Sequence, residues 1–280
     1  MQTNNFSKTQ CITLTGMFGA IIFMMTFTPL GFPQIPLIGS ATIVHIPVIV
    51  GAILMGPKYG AVLGFMFGLS SMIFASTQSL ALNAFAFTPL RPVPGTDSGS
   101  PFSLLIAFVP RILVGVVAPL VFYALAKWIP KIPSAVNIVI AAVVASMTNT
   151  LLVLHMLFFI FREPWGYARA ASAAGAREAA YTAYAQAEAA WQSAMSYATA
   201  ASWDIAADFA RDAVAYEAIA ATESARVIVA PQITYGFIAG IIATFGVPEA
   251  ILAGILAPAI CVPLFMVAKQ IAARRGAKAV

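Results

Sequence analysis

One arginine in an apolar run, "FVPRILVG", poses the sharpest chemical question in this 280-residue chain. A cation at mid-membrane depth costs roughly 2.5–3.5 kcal/mol on insertion scales, so Arg111 has to face a bundle interior or a wet cavity. Two roles fit. Arg111 could anchor the bundle by bonding to Asn149 or to carbonyls freed by Pro110, or it could receive an anionic ligand. Asn149 in "SMTNTLLV" is an amide in an apolar helix, suited either to helix pairing or to ligand contact. His45 in "ATIVHIPV", and Asn83 and Arg91 in "QSLALNAFAFTPLRPVPGTDSGSP", join them as candidate substrate-binding residues in the outer half. Their convergence suggests an outward-open pocket for a small, polar, anionic molecule.

Enzyme chemistry has no comparable footing. The chain contains no HExxH, no GxSxG and no P-loop, and "GPKYGAVLG" lacks the GK[ST] step that a phosphate cradle needs. Ser146 and His155 stand on one helix, too far apart to touch, and His155 reads as an interfacial residue. Cys11 and Cys261 form no CxxC and read as small apolar core residues. No catalytic residue, metal site or cofactor is expected. Glu249 in "GVPEA" is the only acid at a span, and there it reads as a helix-start residue beside the positive end of the dipole. Proton-driven carriers usually place acids within their spans, so the chain offers no obvious way to energise transport alone.

Helices have to position these groups. The residues are 61% hydrophobic and 9% charged, with a mean hydropathy of +0.90. A soluble domain is about 45–50% apolar and about 25% charged, so the composition implies an all-α polytopic membrane bundle. A crossing helix needs about 20 apolar residues. Six spans meet that need, within Cys11–Phe32, Ile35–Gly56, Lys58–Thr77, Phe102–Lys127, Pro133–Phe161 and Pro248–Lys269. The second starts irregularly at Pro36 and Pro47. A further apolar piece, Val227–Phe245, is broken from the sixth by Gly246-Val247-Pro248. It is either an outer-face helix in series with the sixth span or a seventh crossing.

Lysine and arginine near the span ends favour an even number of crossings with both termini in the cytoplasm, in the cell membrane. Residues 162–226 hold five Arg and eight acids, and the rest of the chain holds ten Lys or Arg and two acids. The first group is too polar to span and rich in alanine, a strong helix former. Tyr181, Tyr184, Glu188, Trp191 and Met195 fall on one helical stripe, and Phe209, Tyr216 and Ile219 form a similar one. The expectation is an extracellular Ala-rich helical hairpin over 162–226, with its break near Ala200–Ser202, inserted between membrane parts 1–161 and 227–280. The Gln78–Pro101 connection is too rich in proline and glycine for helix or strand, yet apolar enough to fold back, either as a pocket cap or onto the membrane surface. Basic residues are scattered singly, so nucleic acid is not an expected partner. In the first span, Gly16 and Ala20 form one small-xxx-small pair and Thr15 and Gly19 another. Either ridge could pack internally or admit a partner subunit.

Four stretches, "ATIVHIPVIVGAILMGPKYGAVLGFMFGLSSMIF", "FVPRILVGVVAPLVF", "SMTNTLLV" and "FGVPEAILAGILAPAI", resemble the substrate-binding S component of energy-coupling-factor (ECF) vitamin transporters. The resemblance covers about residues 11–161 and 227–270 and leaves the alanine-rich insertion outside it. It implies six membrane helices and an outward-facing pocket capped by the loops after the first and third spans. Its ligand would be a vitamin, with pantothenate the expected one and riboflavin, folate or another vitamin still open. A transmembrane coupling protein and two ATPase subunits would supply the energy. The family docks its coupling protein on an AxxxA motif of the first span, a position held here by Gly16 and Ala20. Two other functions stay open on sequence alone: a self-sufficient secondary carrier, and a scaffold that recruits a partner through the outer hairpin.

Overall fold

Proline and glycine set where the membrane helices begin, turn and touch. The computed structural model describes residues 6–32, 34–35, 39–40, 42–77, 84–94, 96–199, 203–228 and 235–276. They fall into two compact units, one made of Met1–Arg162 with Thr234–Val280, the other of Glu163–Ile233.

In the first unit, α1 runs over Lys8–Thr26. Ser7 caps it, its hydroxyl accepting from the Gln10 N–H while the Gln10 side chain accepts from the Ser7 N–H. One pair of two-residue strands follows, β1 (Gln34–Ile35) and β2 (Gly39–Ser40), antiparallel with Gln34 opposite Ser40. Helix α2, His45–Met55, is shorter than the expected second span. At 1.5 Å per residue its 11 residues reach only about half the hydrocarbon thickness. It is also the most deeply buried helix, with every residue from Val48 to Met55 buried. Pro47 sits in its first turn, where the missing N–H would have had no helical partner anyway. Gly56 ends it at φ 92°, a left-handed conformation that glycine adopts without strain, and Pro57 opens the next helix.

Helix α3 (Pro57–Thr77) and helix α4 (Phe102–Trp128) form the closest pair. Gly60, Gly64 and Gly68 make a ridge on α3. A Cβ on Gly60 would collide with the carbonyl of Gly115, one on Gly64 with the backbone of Arg111 and Ile112, and one on Gly68 with Phe108 and the Ala107 carbonyl. Bare backbone on bare backbone is how helices associate where lipid removes the hydrophobic drive.

Helix α5 (Ser134–Thr199) leaves helical dihedrals at Phe161 (φ −122°, ψ 22°), at the end of its apolar part. The last membrane segment starts as α7 (Tyr235–Ile241), continues through a π-turn (Ile242–Gly246) and becomes α8 (Val247–Gly276). The expected break at Gly246-Val247-Pro248 is therefore absent. The wider π-turn takes in Pro248, which lacks an N–H and would crowd the carbonyl one turn before it. Of the apolar piece Val227–Phe245, the part from Tyr235 on belongs to this helical run. Val227 and Ile228 end α6, and 229–234 lie outside the described residues.

Among the described residues five helical segments are long and apolar enough to cross a membrane: Lys8–Thr26, Pro57–Thr77, Phe102–Trp128, Ser134–Phe161 and Tyr235–Gln270. Together with α2 they make a polytopic helical bundle. Its outer surface carries Leu104, Leu105 and Leu120 of α4 and Ile251, Ile255 and Leu264 of α8, side chains suited to lipid.

The second unit holds the rest of α5 and α6 (Trp203–Ile228). Here the expected stripe is not the packed face. Tyr181 and Met195 are 75% and 69% exposed, and Tyr184 and Trp191 are exposed as well. The buried face is Ala180, Ala183, Ala187, Ala190 and Ala194, the same periodicity displaced by one residue. Ala213 is the buried residue of α6, with Phe209 and Tyr216 half-buried beside it and Ile219 exposed. Methyl groups let two helices approach until larger side chains no longer fit between them, so the aromatics move to the flanks. Trp191 Nε1 donates to Glu217 Oε1 at 2.9 Å, linking the two helices.

Candidate functional site

Arg111 is 4% exposed, deep in the bundle, and the α3 glycine ridge brings its backbone against Gly64. One terminal guanidinium nitrogen donates to the Ile106 carbonyl at 2.6 Å. Ile106 lies four residues before Pro110, so this is the carbonyl that the proline leaves without its helical donor. The anchoring contact expected to a freed carbonyl is thus made, whereas Asn149 does not take part in it. The guanidinium carbon lies 5.5 Å from the Phe67 ring centre and 4.8 Å from that of Phe87, within cation–π range. Nε has no hydrogen-bond partner among the described residues.

Phe87 reaches Arg111 because the connection after α3 folds inward. Ala84–Phe87 forms a short 3-10 turn inside a stretch expected to hold no helix. Ala84, Phe85 and Ala86 are buried, and Ser103 Oγ donates to the Phe85 carbonyl at 2.8 Å. Phe85 also meets Phe161 edge-on, with centroids 5.5 Å apart. The described part of this loop folds inward, with Phe87 beside the Arg111 guanidinium. Leu90 stays out, at 77% exposure.

Glu249 on α8 is the second buried charge, and its role differs from the expected one. The helical run passes through Tyr235–Gln270 without a free N-terminus at this acid. Glu249 instead accepts from the backbone N–H of Thr42, in the connection after α1, and from Thr150 Oγ1 at 3.2 Å. Gly246 makes the second bond possible, since a side chain there would press on the Thr150 methyl. Arg111 and Glu249 interact electrostatically without reaching ion-pair contact.

Asn149 and Ser146 flank Thr150 on α5. Both are buried, and Asn149 Oδ1 and Ser146 Oγ lack partners among the described residues. His45, the first residue of α2, is buried close to the backbone of Thr42, and neither ring nitrogen has a hydrogen bond of normal geometry among the described residues. Buried polar atoms are paired in the great majority of cases, so these open groups stand out among the described residues. Arg91 is half-exposed, and no hydrogen bond ties it to this group among the described residues. Asn83 lies outside the described residues. Among them no three His, Cys, Asp or Glu side chains gather as a metal ion would require. Sequence reasoning missed Glu249, Thr150 and Thr42 as one connected set. The available signal was that Glu249 is the only acid within any span.

The two small-residue pairs of α1 separate cleanly. Gly19 is buried against Met66, and the Thr15 hydroxyl bonds within its own helix to the Cys11 carbonyl at 2.7 Å. Gly16 and Ala20 face outward among the exposed Ile12, Met17 and Met24, and a Cβ on Gly16 would touch nothing.

A polytopic helical bundle that buries an arginine and an acid among unpaired polar groups has the build of a membrane protein that holds a small polar solute. The chain belongs to the family of ECF transporter substrate-specific components, whose model matches residues 10–261. That family is a set of transporter subunits rather than of enzymes. The chain is also 36% identical over 156 residues to a protein of Lactococcus lactis subsp. cremoris (strain MG1363) named pantothenic acid transporter PanT. The matched part is 55% of this chain and 76% of that relative, which is thus the shorter protein.

Proposed function

We propose that this chain captures pantothenate, or a vitamin of the same charge and shape, in a pocket opening to the outer face, and delivers it to an ATP-driven partner complex. The single observation that carries this reading is the buried guanidinium of Arg111, with an open Nε beside the aromatic rings of Phe67 and Phe87. Pantothenate has one carboxylate, and a buried arginine recognises a carboxylate through short, charge-assisted hydrogen bonds. His45, Asn149 and Ser146 supply further polar contacts, and Arg91 and Asn83 remain candidates at the mouth. The connections after α1 and α3 act as the cap, because one reaches Glu249 through Thr42 and the other covers Arg111 with Phe87.

The partner complex is a transmembrane coupling protein with two ATPase subunits. Its docking face on this chain is the outward stripe of α1 with Gly16 and Ala20 at its centre, since small residues let a partner helix approach closely. Both termini lie in the cytoplasm, and the alanine-rich unit is extracellular and dispensable for capture.

Purified protein is expected to bind pantothenate, one molecule per chain by calorimetry. Vesicles holding it alone should not accumulate the vitamin, whereas adding the coupling protein, the ATPases and ATP should allow uptake. Gly16→Leu and Ala20→Leu should impair assembly and spare binding. Uptake driven by an ion gradient through this chain alone would reject the proposal.

A further inference from the structure

Arg111 answers to the negative end of a ligand, but the site has a second charge that a simple anion trap would not keep. Glu249 is 7% exposed, and a carboxylate in that position repels an incoming anion. Asp97, the other acid outside 162–226, lies in a connection between spans, so Glu249 is the one acid the spans carry.

Its bonding is incomplete in a specific way. One carboxylate oxygen accepts from the Thr42 N–H and the other from Thr150 Oγ1. Each carboxylate oxygen can accept two hydrogen bonds, so among the described residues one position on each stays open. The neighbouring positive charge does not close them, because the Arg111 guanidinium bonds to the Ile106 carbonyl and stops short of ion-pair contact with Glu249. Two opposite buried charges left unbridged are unfavourable unless a further group completes both. On the α5 side, Asn149 Oδ1 and Ser146 Oγ also lack partners among the described residues, within one turn of Thr150.

We propose that Glu249 is a specificity-determining residue, whose open carboxylate positions accept hydrogen bonds from hydroxyl or amide donors at the end of the ligand remote from Arg111. This rests on the pantothenate reading above. The site is then two-ended, selecting a monoanion with donor groups at its far end and rejecting a dicarboxylate, whose second charge would face Glu249. Glu249 also pins the connection after α1 through Thr42, so the residue that reads the donors holds part of the cap.

The test compares two ligands on the full-length protein: pantothenate, and its analogue with both hydroxyls replaced by hydrogen. Wild type should prefer pantothenate by at least about tenfold, since a site built to hydrogen-bond a hydroxyl rejects the analogue lacking it. E249Q keeps the side-chain volume but loses the charge and half of the acceptor positions. It should lose about tenfold or more in affinity for pantothenate and little for the analogue, so the preference collapses. T150V, which removes a support of the carboxylate and leaves its charge, should weaken pantothenate more than the analogue, by less than E249Q does. Equal losses on both ligands in E249Q make Glu249 a structural pin and overturn the assignment. Equal affinities in wild type overturn it without any variant. If wild type fails to bind pantothenate at all, the vitamin reading falls and the assignment falls with it.

Discussion

Both units bring helices together through small residues, yet the closeness has opposite results. In the membrane unit, Gly60, Gly64 and Gly68 let α3 press on the backbone of α4, and the polar side chain of Arg111 ends up inside. In the alanine-rich unit, Ala180, Ala183, Ala187, Ala190 and Ala194 form the seam, and Tyr181, Tyr184 and Trp191 of the same helix end up outside. The first seam removes side chains to make contact where lipid gives apolar groups no reason to gather. The second keeps methyl groups, the least apolar surface that still permits close approach. Small residues mark a contact in both, but only the membrane unit uses the contact to hold a charged group in a dry place.

The strongest challenge to this comparison is Gly60→Leu. A side chain there meets the Gly115 carbonyl, which is backbone and cannot move aside. The variant should lose more than about 3 kcal/mol of stability, or fail to accumulate folded protein. Thermal unfolding in detergent would read this, and a wild-type transition would dissolve the idea of a backbone contact. Next in size is Ala187→Leu, at a seam position only 3% exposed. Overpacking typically costs about 1–3 kcal/mol, and limited proteolysis confined to 163–233 should show the second unit loosened while ligand binding persists. Cleavage no faster than in wild type would mean that the seam is not tight. The smallest effect sharpens the contrast among glycines. Gly175 lies within α5, and a Cβ there would touch nothing. Gly175→Ala should raise the stability of the second unit by up to about 1 kcal/mol through helix propensity alone, read by chemical unfolding. A loss of stability would place an unrecognised contact at that turn.

The sequence carried the bundle well because apolar length is a strong signal. It also carried the Arg111 anchor, since a proline inside a helix must free a particular carbonyl. Glu249 was harder to see. "GVPEA" has the residues of a helix start, and only the neighbouring α5 chain reveals that the helix runs through and that Thr150 waits beside the acid. Within the expected second span the described helix is His45–Met55, preceded by the irregular start that Pro36 and Pro47 imply. The buried alanines lie one residue off the Tyr181–Met195 stripe, because helix separation obeys volume, which hydrophobic periodicity does not read. The glycine ridge of α3 stands in "GPKYGAVLGFMFG", a stretch that carries the family resemblance and fails as a phosphate loop, but spacing alone does not say which helix it touches.

The π-turn at Ile242–Gly246 has a consequence for how the last segment is keyed. Upstream of it, the Tyr235 hydroxyl bonds to His155 Nε2 at 2.7 Å; downstream, Glu249 receives Thr150 Oγ1. Both partners stand on α5, so one helix grips the other by two pegs with the wide turn between them. A residue advances an α-helix by about 100° around its axis, so deleting any one position between 242 and 246 would throw one peg out of phase with the other. The five residues of the turn thus act as a spacer whose length, more than its composition, decides whether the acid meets Thr150 while Tyr235 meets His155.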